Sequence, residues 1–147
     1  VYKRQMYDAV TEEAKNSDII IKAAAVADYT PLNVSDNKIK KKDGDMSIAL
    51  KRTKDIIGTL GEHKKEGQFI CGFSMETENV IANSKDKLIK KNMDMIVANN
   101  VKVAGAGFGT DTNVVTIITG EDNIELPMMS KEDVASKILD FIMAKRR

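Results

Sequence analysis

Three near-continuous apolar runs constrain this chain more than any other feature of its sequence. They are Ile19-Ile20-Ile21-Lys22-Ala23-Ala24-Ala25-Val26, Gln68 to Phe73, and Met95-Ile96-Val97-Ala98. A strand with one wet face alternates polar and apolar residues. These runs do not, so they predict strands covered on both faces, as in a parallel sheet. Helical patterns lie around them. Met6, Ala9, Val10 and Ala14 share one face of a helix that begins at about Met6 and stops at Asn16-Ser17-Asp18. Residues Asp55 to Lys65 read as a second helix, ended by Gly67. Asn79 to Lys91 read as a third, with Val80, Ile81, Leu88 and Ile89 as apolar points. Met46 to Leu50 alternate as a short strand. Val114 to Thr119 and Asn123 to Leu126 flank Gly120-Glu121-Asp122, a hairpin signature. Ser130 is a good N-cap, with Asp133 at N3, for a last helix to about Ala144. The predicted class is α/β: a mostly parallel sheet with helices on both faces and a C-terminal antiparallel hairpin.

The chain has 147 residues and shows no repeat or linker, so one domain is expected, over residues 6–147. Val1 to Gln5 look foreign to the first helix. They resemble the translation of a transposon end and are expected to be a non-native artefact, with the true protein continuing upstream. Lys+Arg is 23 against 22 Asp+Glu, a net charge of +1, which argues against a surface that binds nucleic acid or anionic membrane as a whole. No apolar run approaches the ~18 residues of a membrane span, and no secretory h-region is present. With Cys71 as its one cysteine the chain cannot form an internal disulfide, so a reducing cytoplasm is expected. Cys71, inside an apolar run, reads as a packing residue. His63 reads as a solvated helix residue. Together they are too few for a structural zinc site.

In open α/β sheets, ligands bind beyond the carboxyl ends of the strands. Each buried run here ends in polar chemistry: Asp28 after the first, Phe73 to Asn79 after the second, Asn99 and Asn100 after the third. Between Lys38 and Lys54 stand seven basic residues against two acidic ones, which suits either a polyanion partner or a solvated loop. Lys87 and Lys91, four apart, project from one helix face and could reach one phosphate chain. Glu76 and Glu78 could bind Mg²⁺ or pair with lysines. Gly105-x-Gly107-x-Gly109 has the wrong spacing for a dinucleotide fingerprint and precedes a hairpin, so it reads as a turn or a backbone contact, not a phosphate cradle.

Seven short motifs in order resemble those of the phosphopantothenoylcysteine synthetase (phosphopantothenate–cysteine ligase) domain. They are Ala24-Ala25-Val26-Ala27-Asp28-Tyr29, Lys38-Ile39-Lys40-Lys41, Asp55-Ile56, Gly72-Phe73-x-x-Glu76-Thr77-x-Asn79, Lys87-x-x-x-Lys91-x-x-Asp94, Ala98-Asn99-x-Val101, and Gly107-Phe108-x-x-Asp111-x-Asn113. The resemblance implies a Rossmann-like fold and a role in coenzyme A biosynthesis. CTP activates 4′-phosphopantothenate as an acyl-cytidylate with loss of pyrophosphate, and L-cysteine displaces CMP. Mg²⁺ accompanies CTP, and its ligands on this chain are left open. The resemblance places Asp28 on the cytosine and backbone groups of Lys22, Ala23 and Ala24 along the nucleotide. It makes Lys38 the catalytic contact to the triphosphate, with the following lysines as a flap. Lys54, Asp55, Ile56 and Ile57 follow the nucleotide, although the family often has proline where Lys54 stands. Phe73 packs on the base or ribose, and Lys87 and Lys91 reach phosphate. Ser74-Met75 replaces a pair of small residues.

The family architecture adds an upstream decarboxylase half that holds FMN, and a homodimer formed through this domain. The family's first βα unit, with a glycine-rich turn and an asparagine, has no counterpart before Met6. The chain is therefore expected to be N-terminally truncated and by itself inactive. Two other classes stay open on the residues alone. One is a non-catalytic polyanion- or RNA-binding module using Lys38 to Lys54, disfavoured by 5% aromatics and no tryptophan. The other is an oxidoreductase fragment, disfavoured by the missing glycine fingerprint.

Overall fold

A computed structural model of the chain describes every residue except Val1, Lys42, Glu76, Thr77, Val101, Lys102, Ala104, Gly107, Phe108 and Arg147. The central sheet has five strands in the order β1-β4-β5-β6-β7. They are β1 (Ile19–Lys22), β4 (Phe69–Met75), β5 (Met95–Asn99), β6 (Thr112–Ile118) and β7 (Asn123–Ser130). β1, β4 and β5 pair in parallel, and β6 and β7 close the sheet as an antiparallel hairpin, as the sequence predicts. A separate antiparallel ribbon joins β2 (Tyr29–Pro31) to β3 (Leu50–Arg52).

The pleat of β4 and β5 divides the core in two. Phe69, Cys71, Met95 and Val97 face α4 (Lys131–Lys145), which contributes Val134, Ile138 and Ile142. Ile70 and Ile96 face the other way, toward α2 (Ile56–Glu62) and α3 (Val80–Lys90). α1 (Tyr2–Glu13) lies on that second side, so helices cover both faces. α4 starts as its sequence predicts: the Ser130 hydroxyl accepts the Asp133 N–H at 3.0 Å.

Several expectations are corrected. α1 begins at Tyr2, ahead of its apolar pattern, and Tyr7 takes the inward place expected of Ala9. The first apolar run is a strand only over Ile19–Lys22, paired with β4 alone among the described residues, with Ile19 and Ile20 packed on its two faces and Ile21 exposed. Ala23 to Ala25 lie outside it and are exposed, since three alanines have little to bury and low β-propensity. The strand expected at Met46–Leu50 forms four residues later, at Leu50–Arg52. Its register follows the hydrogen bonds that flank it, Leu32 N–H to Ala49 O and Thr53 N–H to Asp28 O, each 2.8 Å. Met46 and Ile48 are left exposed. On α3, Ile89 is 75% exposed and Ile81 is exposed too, while Ser84 is fully buried. Ser84 can be inside because its hydroxyl shares a 2.9 Å hydrogen bond with Ser74 of β4.

Two glycines permit α2 to sit where it does. A Cβ on Gly72 would meet Ile57 Cδ1 at 2.7 Å and Met93 Sδ at 2.8 Å. A Cβ on Gly61 would stand 1.9 Å from the Lys91 carbonyl oxygen, which is main chain and cannot turn aside. Asn92, in the left-handed region at φ 47°, donates its amide to the Gly61 carbonyl at 2.9 Å and completes the contact. Gly61→Ala is therefore expected to cost about 2–3 kcal/mol or more, measured by urea unfolding. Gly120→Ala, where the added Cβ meets nothing within 4 Å, is the comparison and should change stability by less than about 0.5 kcal/mol.

Candidate functional site

A cleft of about 140 Å³ opens where the carboxyl ends of β1 and β4 meet the start of α2 and the last turn of α3. Lys22 ends β1, and Phe73 and Ser74 lie near the end of β4. Ile56 and Ile57 line the cleft from the first turn of α2, with Asp55 as its N-cap, accepting the Gly58 N–H at 3.1 Å. Lys87 and Lys91 enter from α3, on one face as their spacing predicts. Asp28 and Lys54 come from the two feet of the β2–β3 ribbon. Thr53 ties those feet together. Its N–H donates to the Asp28 carbonyl and its hydroxyl to the Ala27 carbonyl, both at 2.8 Å.

The charges in the cleft are coupled. Lys91 Nζ pairs with Asp55 Oδ2 at 2.9 Å. Burial works against the Asp55 charge. The Lys91 hydrogen bond, the Gly58 N–H and the positive charges of Lys91 and Lys22 outweigh it and hold the carboxyl below its ordinary value. Lys22 moves down as well, first through burial and then through repulsion from Lys91, with Asp55 and Asp28 pulling the other way. Its ammonium donates to the Ala24 carbonyl at 3.0 Å. Lys54 Nζ lies 4.3 Å from the centroid of the Tyr7 ring.

The cleft thus brings together Lys22, Asp28, Lys54, Asp55, Ile56, Ile57, Phe73, Lys87 and Lys91 from the expected set. It does not include Ala23 or Ala24, which line a groove between β1 and α1 with Met6 and Val10. Nor does it include Lys38, exposed on the long arm between β2 and β3. Glu76, and Lys42 of the basic run, lie outside the described residues, and Glu78 is exposed. Asn99 and Asn100 are used in the fold: Asn99 accepts from the Asn113 amide at 2.9 Å, and the Asn100 N–H donates to the Val114 carbonyl. Gly105 and Gly109 have positive φ, as turn glycines do, and Gly107 and Phe108 lie outside the described residues. Cys71 is fully buried. Burial, then the negative charge of Asp94, pushes its thiol up to about 12, which suits a packing residue.

The sequence alone did not point to Thr53, Met93 or Tyr7. Thr53 acts through main-chain partners, Met93 through its packing on Gly72, and Tyr7 through a ring contact across helices. None leaves a local signal. Among the described residues no helix is long and apolar enough to cross a membrane.

Because the folded pKa of Asp55 is depressed, its contribution to stability is in place above the unfolded value of 3.8 and is lost as pH falls through the folded value. Removing the main partner should undo the shift. In Lys91→Gln, the Asp55 carboxyl is expected to titrate at higher pH than in the wild type, followed by the side-chain carboxyl carbon in NMR. An unchanged titration would show that the ion pair does not hold Asp55 in solution.

Residues 2–145 match the family described as the DNA/pantothenate metabolism flavoprotein C-terminal domain. The coenzyme A biosynthesis bifunctional protein CoaBC of Bacillus subtilis (strain 168) is 53% identical over 140 residues, which is 95% of this chain and 34% of that protein. A cysteine/cysteine sulfinic acid decarboxylase of an unknown prokaryotic organism is 46% identical over 95% of this chain and 39% of its own length. The chain thus spans little more than a third of the curated relatives it matches. A crystal structure of the C-terminal domain of CoaBC superposes with a TM-score of 0.77 at 43% identity, covering 97% of this chain and 63% of that one. A Cab2 mutant in complex with phosphopantothenate-cysteine superposes with a TM-score of 0.75 at 19% identity, covering 98% of this chain and 50% of that one, a likeness of fold.

Proposed function

Because the chain belongs to the DNA/pantothenate metabolism flavoprotein C-terminal domain family, we propose that it carries the phosphopantothenate–cysteine ligase part of a coenzyme A biosynthesis protein. In this reading the 4′-phosphopantothenate carboxylate attacks the α-phosphorus of CTP. An acyl-cytidylate forms and pyrophosphate leaves. The amine of L-cysteine then attacks the acyl carbon, CMP departs, and the new amide is 4′-phosphopantothenoylcysteine.

The observation that carries the reading is the convergence of Lys22, Lys87 and Lys91 with Asp28 and Phe73 at the carboxyl ends of the parallel strands. Fixed cations stabilise the charge that develops on a leaving pyrophosphate. Asp28, held by Thr53 at the foot of the ribbon, is assigned to the amino edge of cytosine, and Phe73 to the base or ribose. Ile56 and Ile57 give the wall an apolar surface. Ala23 and Ala24 offer backbone groups just beyond Lys22, and Lys38, on the arm between β2 and β3, is assigned to the triphosphate by the resemblance.

Mg²⁺ usually takes one or two carboxylates plus substrate phosphates. Asp55, in the cleft, fits that pattern, and among the described residues no group of three or more His, Cys, Asp or Glu offers an all-protein site. Bound there, the ion would neutralise phosphate charge. FMN is assigned to the decarboxylase half expected elsewhere in the full-length protein. A homodimer and a cytoplasmic location complete the proposal.

Calorimetric titration with CTP, ATP and UTP tests the assignment. CTP is expected to bind at least about tenfold more tightly than ATP, since a site built to hydrogen-bond one base is left with unpaired polar groups by another. Asp28→Ala should erase most of that preference while leaving the phosphate contacts in place. Equal affinity for all three nucleotides would remove the CTP assignment.

A further inference from the structure

A second groove lies beside the cleft, between α1 and the β2–β3 ribbon, and shares Val26, Thr53 and Lys54 with it. Lys54 therefore stands in the wall between the two spaces. Its main chain is fixed from both sides, by the Thr53 hydrogen bonds before it and by the Asp55 cap after it. What remains to be ordered is a long side chain with large rotamer freedom.

Tyr7 supplies that order. The Lys54 ammonium lies 4.3 Å from the centroid of its ring, inside the range of a cation–π contact. The ring is itself held, half-buried against the core that α2 and α3 share, with its hydroxyl 3.5 Å from Thr59 Oγ1. Among the described residues no carboxylate pairs with Lys54, so the ring is the group that orients it.

Resting on the nucleotide reading above, we propose that Tyr7 is a positioning residue. Its ring holds the Lys54 ammonium at the joint of cleft and groove, as a fourth cation for the nucleotide's phosphate chain beside Lys22, Lys87 and Lys91. The ring orients the ammonium without neutralising it, which a carboxylate in the same place would do.

Calorimetric titration of the chain with CTP, and with inorganic triphosphate as a base-free probe, tests this. Tyr7→Leu is expected to weaken both by about three- to tenfold. Tyr7→Phe, which keeps the ring, should bind within about twofold of the wild type. In a Lys54→Gln background Tyr7→Leu should add nothing, because the group it positions is gone. Equal losses from Tyr7→Leu in both backgrounds would mean that Tyr7 only supports the helices, and would overturn the proposal. So would Tyr7→Phe binding as weakly as Tyr7→Leu. Lys87→Gln, run in parallel, separates the two levels. If it leaves CTP affinity unchanged, the nucleotide reading fails and takes the proposal with it. If it weakens CTP while Tyr7→Leu is silent, the proposal alone falls. Urea midpoints establish that each variant is folded.

Discussion

One residue grips α2 at both ends. The carbonyl of Lys91 lies under Gly61, close enough that any side chain there would collide with it, and the ammonium of Lys91 pairs with Asp55, the N-cap of the same helix. A seven-residue helix has too few internal hydrogen bonds to persist alone. Its place is set by this clamp and by Ile56, Ile57 and Leu60 in the core with Ile70, Leu88, Met93 and Ile96. Fixing α2 fixes the cleft, because the first turn of α2 is one wall and the clamping ammonium is another. Fold and site therefore depend on the same contact. A change at Lys91 that altered ligand binding would also be felt in the packing of α2, and only a measurement of both could assign the effect.

The parts of the fold legible in the sequence are those whose signals are local. The β4 and β5 runs are apolar throughout because both their faces are covered, and the sequence shows that directly. The β6–β7 hairpin follows from Gly120-Glu121-Asp122 between alternating runs, and α4 from Ser130 and Asp133. The illegible parts are those decided by a distant partner. β1 stops at Lys22, where three alanines of low β-propensity follow it. The ribbon takes its register from Leu32 with Ala49 and from Thr53 with Asp28, pairs of which neither is near the other in sequence. Ser84 looks like a surface residue until Ser74 satisfies its hydroxyl, and the apolar Ile81 and Ile89 are exposed with no local signal to mark them so.

The same division holds in the cleft. Asp28 and Phe73 were visible as residues that end buried strands, and Lys87 with Lys91 as an i,i+4 pair. Lys22 and the Lys54–Ile57 stretch stand out only through the resemblance, since a lysine at the end of a strand and a cap before a helix are commonplace. Lys38 shows the limit of that route. A motif can identify a residue, but the arm between β2 and β3 leaves Lys38 exposed and outside the cleft wall.

The electrostatics of the cleft favour a ligand with several negative charges over one with a single charge. Burial first, and then repulsion from Lys91, lowers the pKa of Lys22, and Asp55 and Asp28 partly compensate. Asp55 can offset only one unit of charge, and its Gly58 hydrogen bond keeps it tied to the helix end. A monoanion entering here would compete with Asp55 for Lys91 and leave the total repulsion little changed. A polyanion meets Lys22, Lys87 and Lys91 together and relieves the repulsion between Lys22 and Lys91. Lys22 and Lys91 are already in place, held by a backbone carbonyl and an ion pair, so little of their ordering cost falls on binding. Selectivity for charge number thus follows from the arrangement of lysines around Asp28 and Asp55.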